Sequence, residues 1–395
     1  MSKQLSRRSL IRGLASTAAA GTFLPSAFAA GPWVLQDADD QLTGRERGQM
    51  GHLVAEFKRQ FNVPALSVAF ARNGQFVFDQ AFGIADRKDS VEATTDNLFR
   101  IASVTKPITS VAIFILIEKG KLHLNDKVFG ASGIFGNKYG KGTAKQYVTD
   151  ITVDHLLTHT CGGWSNGPND PMFQHDSWNQ TELISWTLEN QPLTFPPGQH
   201  WAYSNFGYCL LGRVVEQVSG QAYADYVQAN VLGPSGITGM QIAQNSERKR
   251  APNEVVYYGQ YGEDPYKINV TRMDSHGGWI ATPSNLVQFL DHIGSPPIPS
   301  LLKPETIRIM TTPSPAYPAS SPAKYARGWM VRDNGAGNWW HTGSLPGSTT
   351  IMVRTTTGLR WAALANTRTQ PSDEINTAFD NLLWAMAHSV PRWGA

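Results

Sequence analysis

Cysteine is scarce in this sequence: Cys161 and Cys209 are the only two among 395 residues. Such a chain cannot be a small fold stapled by several disulfides, and it needs a hydrophobic core, for which its length and apolar content are sufficient. Charged residues make up only 16% of the chain, and low-complexity segments and internal repeats are absent. These features exclude a disordered or repetitive protein and leave one large domain or two small ones.

The N-terminal segment lacks an apolar run long enough to cross a membrane. Its first 29 residues contain the paired Arg7 and Arg8, a short, mildly apolar stretch rich in Gly, Ser and Thr, and small residues at Ala27 and Ala29. This pattern is typical of a twin-arginine export signal that is cleaved after Ala29. We therefore expect residues 30–395 to be a periplasmic or secreted protein without a stable membrane anchor.

The mature chain also lacks an excess of positive charge. The full sequence has a formal net charge of +3, but four basic residues and no acidic residue lie in the first 29 positions, so the mature chain carries −1. Proteins that bind nucleic acids or anionic membranes usually present basic surfaces. The charge balance therefore gives no indication of either partner.

The destination of the chain bears on the state of its two cysteines. An oxidising compartment permits a disulfide between Cys161 and Cys209. The twin-arginine route, however, usually carries already folded proteins, and cysteine is a common buried residue, so two buried thiols are at least as good an interpretation. The sequence allows both states.

The most apolar helical stretch lies within residues 98–120. Apolar side chains between residues 108 and 117 cover every face of the predicted helix, so this helix should be buried inside a domain. Pro107 must lie in its first turn, because proline has no N–H to donate and disfavours the helical conformation in the residue before it. This places Ser103 at the positive end of the helix and Lys106 within reach of its hydroxyl. A serine beside a lysine at such a position is a candidate activated nucleophile.

The S-x-x-K pattern alone is weak, since it occurs three more times, starting at Ser246, Ser300 and Ser321. None of those copies introduces a long apolar helix, and we interpret them as chance matches. The alternative for Ser103 is an ordinary helix cap beside a solvated lysine. The nucleophile assignment therefore needs support from elsewhere in the chain.

Hydrophobic periodicity predicts the remaining elements of the chain. An amphipathic helix within residues 40–61 precedes a β-hairpin that turns at Asn73-Gly74, and short β-rich runs after residue 325 indicate an antiparallel meander. Further helices are predicted at residues 181–190, 206–219, 222–231, from 284 onward and at 372–388. Strands at both ends with helices between them indicate a sheet that is closed by the two termini of the chain.

His155 and His159 are spaced i, i+4 in a predicted helix that is capped by Thr152, and this spacing suits a shared metal ion. Leu156, however, stands where a zinc-protease helix would carry its glutamate, and no third ligand cluster is evident. We therefore interpret both residues as structural histidines.

Two further motifs occur once each in the chain. Tyr203-Ser204-Asn205 follows a Pro/Gly loop just before a helix, and His341-Thr342-Gly343 lies in the predicted meander. A phenol can act as an acid or a base if nearby cations lower its pKa, and an amide can bind a substrate carbonyl. A glycine in a strand would let a ligand approach the backbone closely.

Taken in this order, the three motifs resemble those of the penicillin-recognising serine hydrolases. The closest groups are the class C β-lactamases, serine D-alanyl-D-alanine carboxypeptidases, D-aminopeptidases and family VIII carboxylesterases. The similarity extends to LLTHTCGG, FPPG, YSNFGYCLLG, GGWIATPSNL and RGWMVRD, and so to nearly all of the mature chain. It implies a β-lactamase/transpeptidase-like α+β fold. In this fold, both chain ends (about 30–100 and 285–395) would form an antiparallel sheet flanked by helices, and a mostly helical region (about 101–284) would be inserted between them.

The resemblance also implies roles for individual residues. Ser103 would attack the substrate carbonyl to form an acyl-enzyme, and Lys106 would take its proton or keep the local field positive. Tyr203 would pass a proton to the leaving group and later help to activate water, and His341 would complete the catalytic set. Backbone N–H groups of Ser103 and Ser344 would form the oxyanion hole. The substrate-binding residues would be Asn205, Thr342, Gly343 and Ser344. No metal or organic cofactor is implied.

The sequence departs from the family pattern in three ways. His341 stands where most class C β-lactamases have lysine, and a histidine with a pKa of about 6.5 is mostly neutral at neutral pH. Cys161 stands where the family often has serine. The chain is also rich in tryptophan, and some of these side chains are candidates for an apolar pocket, the others for the core or the surface. The tryptophans concerned are Trp164, Trp178, Trp201, Trp339 and Trp340.

These features predict an exported serine hydrolase that acts through an acyl-enzyme on small esters or D-amino-acid-type peptides, with poor or no β-lactamase activity. The first alternative is a penicillin-binding protein or D,D-carboxypeptidase-like factor with slow turnover, and a β-lactamase is another. A catalytically silent relative is disfavoured because Ser103, Lys106, Tyr203 and His341 are all present.

Overall fold

The computed structural model describes residues 42–140, 145–296, 298–332 and 337–393. The predicted export signal, residues 1–29, lies outside these ranges. Within them, no helix is both long and apolar enough to span a membrane. The described residues all belong to one compact unit.

The strands have the following bounds. They are β1 Ala65–Arg72, β2 Gln75–Asp86, β3 Val91–Glu92, β4 Phe99–Arg100, β5 Gln241–Ile242, β6 Trp279–Ala281, β7 Ala323–Tyr325, β8 Met330–Arg332, β9 Trp339–Leu345, β10 Ser348–Arg354 and β11 Leu359–Ala365. The α-helices are α1 Gly44–Gln60, α2 Thr105–Glu118, α3 Val153–Leu157, α4 Gln180–Asn190, α5 Asn205–Ser219, α6 Tyr223–Val227, α7 Pro283–Asp291, α8 Pro304–Met310 and α9 Ser372–His388.

The main sheet has eight strands in the order β3-β2-β1-β11-β10-β9-β8-β7, and every neighbouring pair is antiparallel. The N-terminal hairpin meets the C-terminal meander where β1 pairs with β11, for example at Val68 opposite Ala363. Both ends of the chain therefore close one sheet, and the β-lactamase/transpeptidase-like α+β fold is confirmed.

The two faces of the sheet are built differently. In β1 the large side chains Leu66, Val68 and Phe70 point toward α1 and α9, where the Phe57 and Phe379 rings stack with centroids 5.1 Å apart. The alternate residues of β1 are mostly alanines, and they face the larger core that contains α2 and α7. Small side chains on that face let α7 pack directly on β1 and β11.

The inserted region is organised around α2. Every residue from Thr105 to Leu116 is buried, as the apolar pattern predicts, and α2 packs against α5. The helix α5 starts at Ser204, whose hydroxyl accepts a hydrogen bond from the Gly207 N–H, and ends at Gly220 in the left-handed conformation.

Three features differ from the sequence-based expectation. The predicted helix at 222–231 is regular only as far as Val227 and then widens into a π-turn at Gln228–Leu232. The helix α8 was not predicted, and neither was a second sheet of order β4-β6-β5 within the helical region. The strands of that sheet have only two or three residues, which is too short for a periodic pattern.

A buried asparagine links the end of β11 to the start of β1, where the two ends of the chain meet in the main sheet. Asn366 follows β11, and its Oδ1 accepts from the Ala65 N–H (2.7 Å) while its Nδ2 donates to the Val256 carbonyl (2.9 Å). In Asn366→Ala both backbone groups lose their partner in the interior, so we expect the free energy of unfolding to fall by about 2–4 kcal/mol. Urea denaturation measures this change. The control is Asn190→Ala at an exposed site on α4. An equal loss of unfolding free energy in both variants would contradict the stabilising role of the Asn366 hydrogen bonds.

Candidate active site

Ser103 lies in a 3₁₀ turn, Ala102–Val104, that leads directly into α2. Ala102 has a φ of 47°, a left-handed conformation that costs a non-glycine residue on the order of 1 kcal/mol. Val104 is the N-cap of α2, and no side chain caps either helical segment. Ser103 is thus not an ordinary helix cap, and its hydroxyl is available for other contacts.

Side chains of β10 fix the chain just before Ser103. Ser348 Oγ donates to the carbonyl of Arg100 (2.7 Å), and Thr350 Oγ1 donates to the carbonyl of Ile101 (2.8 Å). Two consecutive backbone carbonyls are held in this way by one strand. The main sheet therefore determines where the Ser103 turn sits.

The strand β9 packs against the same turn at Gly343. A Cβ at this position would overlap with the Ile101 carbonyl oxygen and lie 3.1 Å from the Cβ of Ala102. The sequence predicted that Gly343 lets a ligand approach the strand. In the structure the turn that carries Ser103 takes this space, so the glycine is needed for close packing instead.

Lys106 is fully buried and makes three polar contacts through Nζ. These contacts are Asn205 Oδ1 at 2.8 Å, the His276 carbonyl at 3.0 Å and Ser103 Oγ at 3.0 Å. The first two partners can only accept, so they take two N–H groups of the amine. In a neutral lysine the remaining lone pair then faces the Ser103 hydroxyl, which can donate its proton.

The surroundings of Lys106 favour this neutral state. Burial lowers the pKa of Lys106 well below its ordinary value, and the negative charge of Asp170 opposes the shift. The Tyr203 ring, whose centroid lies 4.7 Å from Nζ, opposes the shift as well, because an aromatic face attracts a cation. A neutral amine beside a serine hydroxyl is the form that can act as a base.

Tyr203 and Asn205 flank Ser204, the N-cap of α5. The Ser204 hydroxyl donates to the Trp164 carbonyl (2.7 Å) and its N–H donates to His159 Nδ1 (3.1 Å), so the loop before α5 is fixed on both sides. This arrangement directs the phenol and the amide of the Y-x-N motif to the same cavity as Ser103.

The Tyr203 phenol is held in its protonated form. Desolvation by the surrounding protein raises the pKa of Tyr203 above its ordinary value, and hydrogen bonding with Ser103 opposes this only in part. Nearby cations therefore do not lower the pKa of this phenol. With Tyr203 protonated and Lys106 neutral, hydrogen bonds can run from the Tyr203 O–H to Ser103 Oγ and from the Ser103 O–H to Lys106.

A buried carboxyl group that the sequence analysis did not single out lies behind this set. Asp170 Oδ2 accepts from Asn205 Nδ2 at 2.7 Å, and Asn166 Oδ1 accepts from the same nitrogen at 3.1 Å. These acceptors fix the amide so that its oxygen points to Lys106. Asp170 is fully buried, and burial raises its pKa to about 6.

His341 lies one layer behind the cavity. Its Nδ1 is 2.7 Å from the Thr342 carbonyl and must carry the hydrogen, so Nε2 accepts from the Tyr325 hydroxyl at 3.1 Å. Burial lowers the pKa of His341 to about 3. The His341 ring lies beside both tyrosines, with its centroid 5.8 Å from that of Tyr325 and 6.4 Å from that of Tyr203. The imidazole is thus neutral, and it packs against the Tyr203 ring as well as against Tyr325.

The cavity beside Ser103 has a volume of about 350 Å³, which suits a small molecule. Among the predicted site residues Ser103, Tyr203, Asn205 and Ser344 line it, whereas Lys106, His341, Thr342 and Gly343 do not. Its other lining residues are Asn166, Phe173, Ile268, His276, Gly277, Leu345, Pro346, Arg368 and Ser372. None of the five tryptophans that were considered for a pocket belongs to this lining.

The two histidines considered for a metal ion have structural environments. His155 closes a capping box with Thr152 at the start of α3. His159 falls beyond the end of α3, is fully buried, and lies 4.2 Å from Tyr203 and 4.5 Å from Tyr325 between ring centroids. The described parts of the chain contain no group of three or more His, Cys, Asp or Glu residues placed to hold a metal.

Several other motifs and residues can be placed as well. Cys161 and Cys209 are both buried and free, in accordance with the thiol interpretation. The stretch Gly163–Gly167 matches G-x-S-x-G, but Ser165 is exposed and no strand leads into this loop, so the context of a nucleophile elbow is missing. The residues Asp170, His276 and Arg368 gave no signal, because each stands singly in a loop without a motif.

Comparison with known proteins agrees with this geometry. A family model described as Beta-lactamase matches residues 50–383. Penicillin-binding protein 4* of Bacillus subtilis (strain 168) is 25% identical over 363 residues, which cover 85% of this chain and 75% of that protein. Protein flp of Staphylococcus aureus (strain MRSA252) is 26% identical over 225 residues, or 57% of this chain, and only 44% of that protein's length is covered.

A solved structure shares the fold. D-amino acid amidase from Ochrobactrum anthropi SV3, complexed with L-phenylalanine amide, matches with a TM-score of 0.72 at 21% identity, over 88% of this chain and 99% of that one. At this level of identity the match concerns the fold alone.

The buried Asp170 gives a test of the site. In Asp170→Asn the charge that orients the Asn205 amide is lost, so we expect Ser103 to react about tenfold more slowly with a fluorophosphonate. This factor corresponds to the loss of one charge-assisted hydrogen bond, roughly 1.5 kcal/mol.

The same variant changes the pH dependence of stability. Because the pKa of the Asp170 carboxyl is about 6 in the folded protein and 3.8 ordinarily, the stability of the wild type falls as pH rises from about 4 to about 6. An amide does not titrate, so the stability gap in favour of the variant should widen across that range.

Asp79 provides a matched control for Asp170. Burial raises its pKa to about 6 as well, but its partner is Ser284 at 2.6 Å on α7, and Asp79 does not line the cavity. We expect Asp79→Asn to shift the pH dependence of melting in the same direction while the labelling rate stays at the wild-type value. A normal labelling rate in Asp170→Asn would disprove the positioning role of Asp170.

Proposed function

Because the chain belongs to the β-lactamase family of serine hydrolases, we propose that it is an exported enzyme that cleaves small esters or D-amino-acid-type peptides through an acyl-enzyme. The contact that supports this most directly is the 3.0 Å approach of Ser103 Oγ to Lys106 Nζ, since both acceptors of the amine's other hydrogens are already in place.

In this proposal Ser103 Oγ attacks the substrate carbonyl carbon while its proton passes to the neutral Lys106. The backbone N–H groups of Ser103 and Ser344 stabilise the oxyanion, and Tyr203 protonates the leaving alcohol or amine as the bond to the carbonyl carbon breaks. Water then attacks the carbonyl carbon of the acyl-enzyme and passes a proton to Tyr203. As the acid leaves, Lys106 returns its proton to Ser103 Oγ, and both residues are regenerated.

The substrate preference follows from the cavity lining. Apolar surface is supplied by Phe173, Ile268, Leu345 and Pro346, and His341 is neutral and does not reach the cavity. A lysine at the His341 position would place a permanent cation near the substrate, as most class C β-lactamases do. The absence of that charge supports ester or peptide hydrolysis over efficient β-lactam hydrolysis.

A second candidate function is acylation with slow turnover. The name of the Bacillus subtilis relative, penicillin-binding protein 4*, favours it. The two candidates differ only in the rate at which the acyl-enzyme is hydrolysed.

Export by the twin-arginine route is part of both candidate functions. This proposal rests on Arg7, Arg8 and the expected cleavage site after Ala29. N-terminal sequencing of the protein recovered outside the cytoplasm tests it.

The nucleophile is tested by labelling. We expect a fluorophosphonate and a fluorescent penicillin to label the wild-type protein, whereas Ser103→Ala should lose all labelling. Ser165→Ala, which removes the exposed serine of the G-x-S-x-G stretch, should label normally. Equal labelling of Ser103→Ala and wild type would remove the assignment. The two candidate functions are separated by a substrate panel of p-nitrophenyl esters, D-amino-acid amides, a D-Ala-D-Ala peptide and nitrocefin. A hydrolase turns over many substrate molecules, whereas a slowly deacylating protein stops after one substrate molecule has reacted per protein molecule.

The role of Tyr203 is tested by removing only its hydroxyl. We expect Tyr203→Phe to fold normally, since the ring contacts remain, and to lower kcat by about 100-fold or more, as is typical for loss of a general acid. Tyr226→Phe on α6 is the control, because the Tyr226 hydroxyl has no hydrogen-bond partner among the described residues. Steady-state kinetics measures the effect, and a kcat near wild type in Tyr203→Phe would contradict its part in proton transfer.

A further inference from the structure

The cavity lining contains one permanent cation. Among the described lining residues Arg368 is the single lysine or arginine, and no carboxylate lines the cavity. Arg368 follows β11, and its Nη1 lies 3.3 Å from Ser344 Oγ, next to the proposed oxyanion site. The guanidinium is therefore placed where a charged group of a bound substrate would meet it.

Glu263 occupies the other edge of this guanidinium. Arg368 Nε lies 2.9 and 3.1 Å from the two Glu263 oxygens, and Nη2 also contacts Glu263. Gln370 Nε2 donates to the same carboxylate at 3.0 Å. The two charged side chains are only 17% and 15% exposed, so their attraction is weakly screened by water. The Arg368–Glu263 pair therefore contributes almost no net charge to the cavity.

The position of Glu263 is built into the fold. Its N–H donates to the Gln260 carbonyl at 3.1 Å, and a Cβ at Gly259 would collide with the Glu263 backbone. The same loop packs on the hairpin that carries Ser344, because a Cβ at Gly347 would lie 2.8 Å from Pro265. The carboxylate therefore does not reach Arg368 from a long free loop.

We propose that Glu263 is a specificity-determining residue: by neutralising Arg368 it makes the cavity select uncharged substrates over those that carry a carboxylate near the scissile bond. A substrate carboxylate has to compete with Glu263 for the guanidinium. The acidic Asp373 and Glu374 in the first turn of α9, whose Ser372 lines the cavity, act in the same direction. This inference rests on the proposed acyl transfer at Ser103 and names the charge of its substrates.

A pair of boronic acids tests the inference without turnover. Ser103 Oγ adds to the boron of 3-carboxyphenylboronic acid or of its methyl ester, the boron becomes tetrahedral and anionic, and the hydroxyl proton is released. Calorimetry gives the ratio of the two Kd values. We expect wild type to prefer the ester, and Glu263→Gln to improve binding of the acid relative to the ester by about tenfold, less so at high salt.

Two further variants identify the cause. In Glu263→Gln/Arg368→Met the improved binding of the acid relative to the ester should disappear, because the guanidinium that Glu263→Gln frees is no longer present. Glu46→Gln is the matched control: it removes a carboxylate paired with Arg392 on the α1 side of the sheet and keeps a side chain suited to the capping box. Its Kd ratio should equal that of wild type.

The outcomes are distinct. A ratio unchanged by Glu263→Gln, a gain that survives in the double variant, or a wild-type preference for the acid would each overturn the role of Glu263. Boronate binding that persists in Ser103→Ala, or is absent from the wild type, would instead contradict the proposed function, and the inference resting on it would fall with it.

Discussion

The site depends on one buried amine. Removing an ammonium group from water is costly unless it is fully compensated, and among the described residues Lys106 has only carbonyl oxygens and a hydroxyl within hydrogen-bond distance. The least costly state is a neutral amine whose lone pair points to Ser103. Burial of α2 is therefore part of the chemistry, because the same apolar packing that stabilises this helix also makes its lysine a base.

This amine is positioned by three distant parts of the chain. Asn205 comes from the start of α5, the His276 carbonyl from the segment before β6, and Ser103 from the turn held by β10. The C-terminal meander takes part because β9 and β10 fix the turn before the nucleophile. Closing the sheet with both chain ends thus brings the meander against the 3₁₀ turn that carries Ser103 and precedes α2.

Much of this was predictable from sequence, for identifiable reasons. The length and apolarity of α2, together with Pro107, placed Ser103 and Lys106 on one turn, and the Asn73-Gly74 turn and the period of α9 gave elements that the structure contains. Gly343 packs closely against Ile101 and Ala102, which are distant in sequence, so a local pattern cannot reveal why a glycine is needed there. Asp170, Tyr325 and Arg368 act through partners 16 to 105 residues away in sequence, so no spacing rule identifies them.

The groups that could bring positive charge to the cavity are neutralised in two ways. Desolvation lowers the pKa values of Lys106, of His341 and of His276, which lines the cavity, whereas Glu263 pairs with Arg368. The first effect follows from burial and cannot be changed without altering the core. The second depends on a single side chain at the cavity edge. Charge selectivity in this fold is therefore most easily altered at Glu263, where one substitution changes the field without touching the proton-transfer groups.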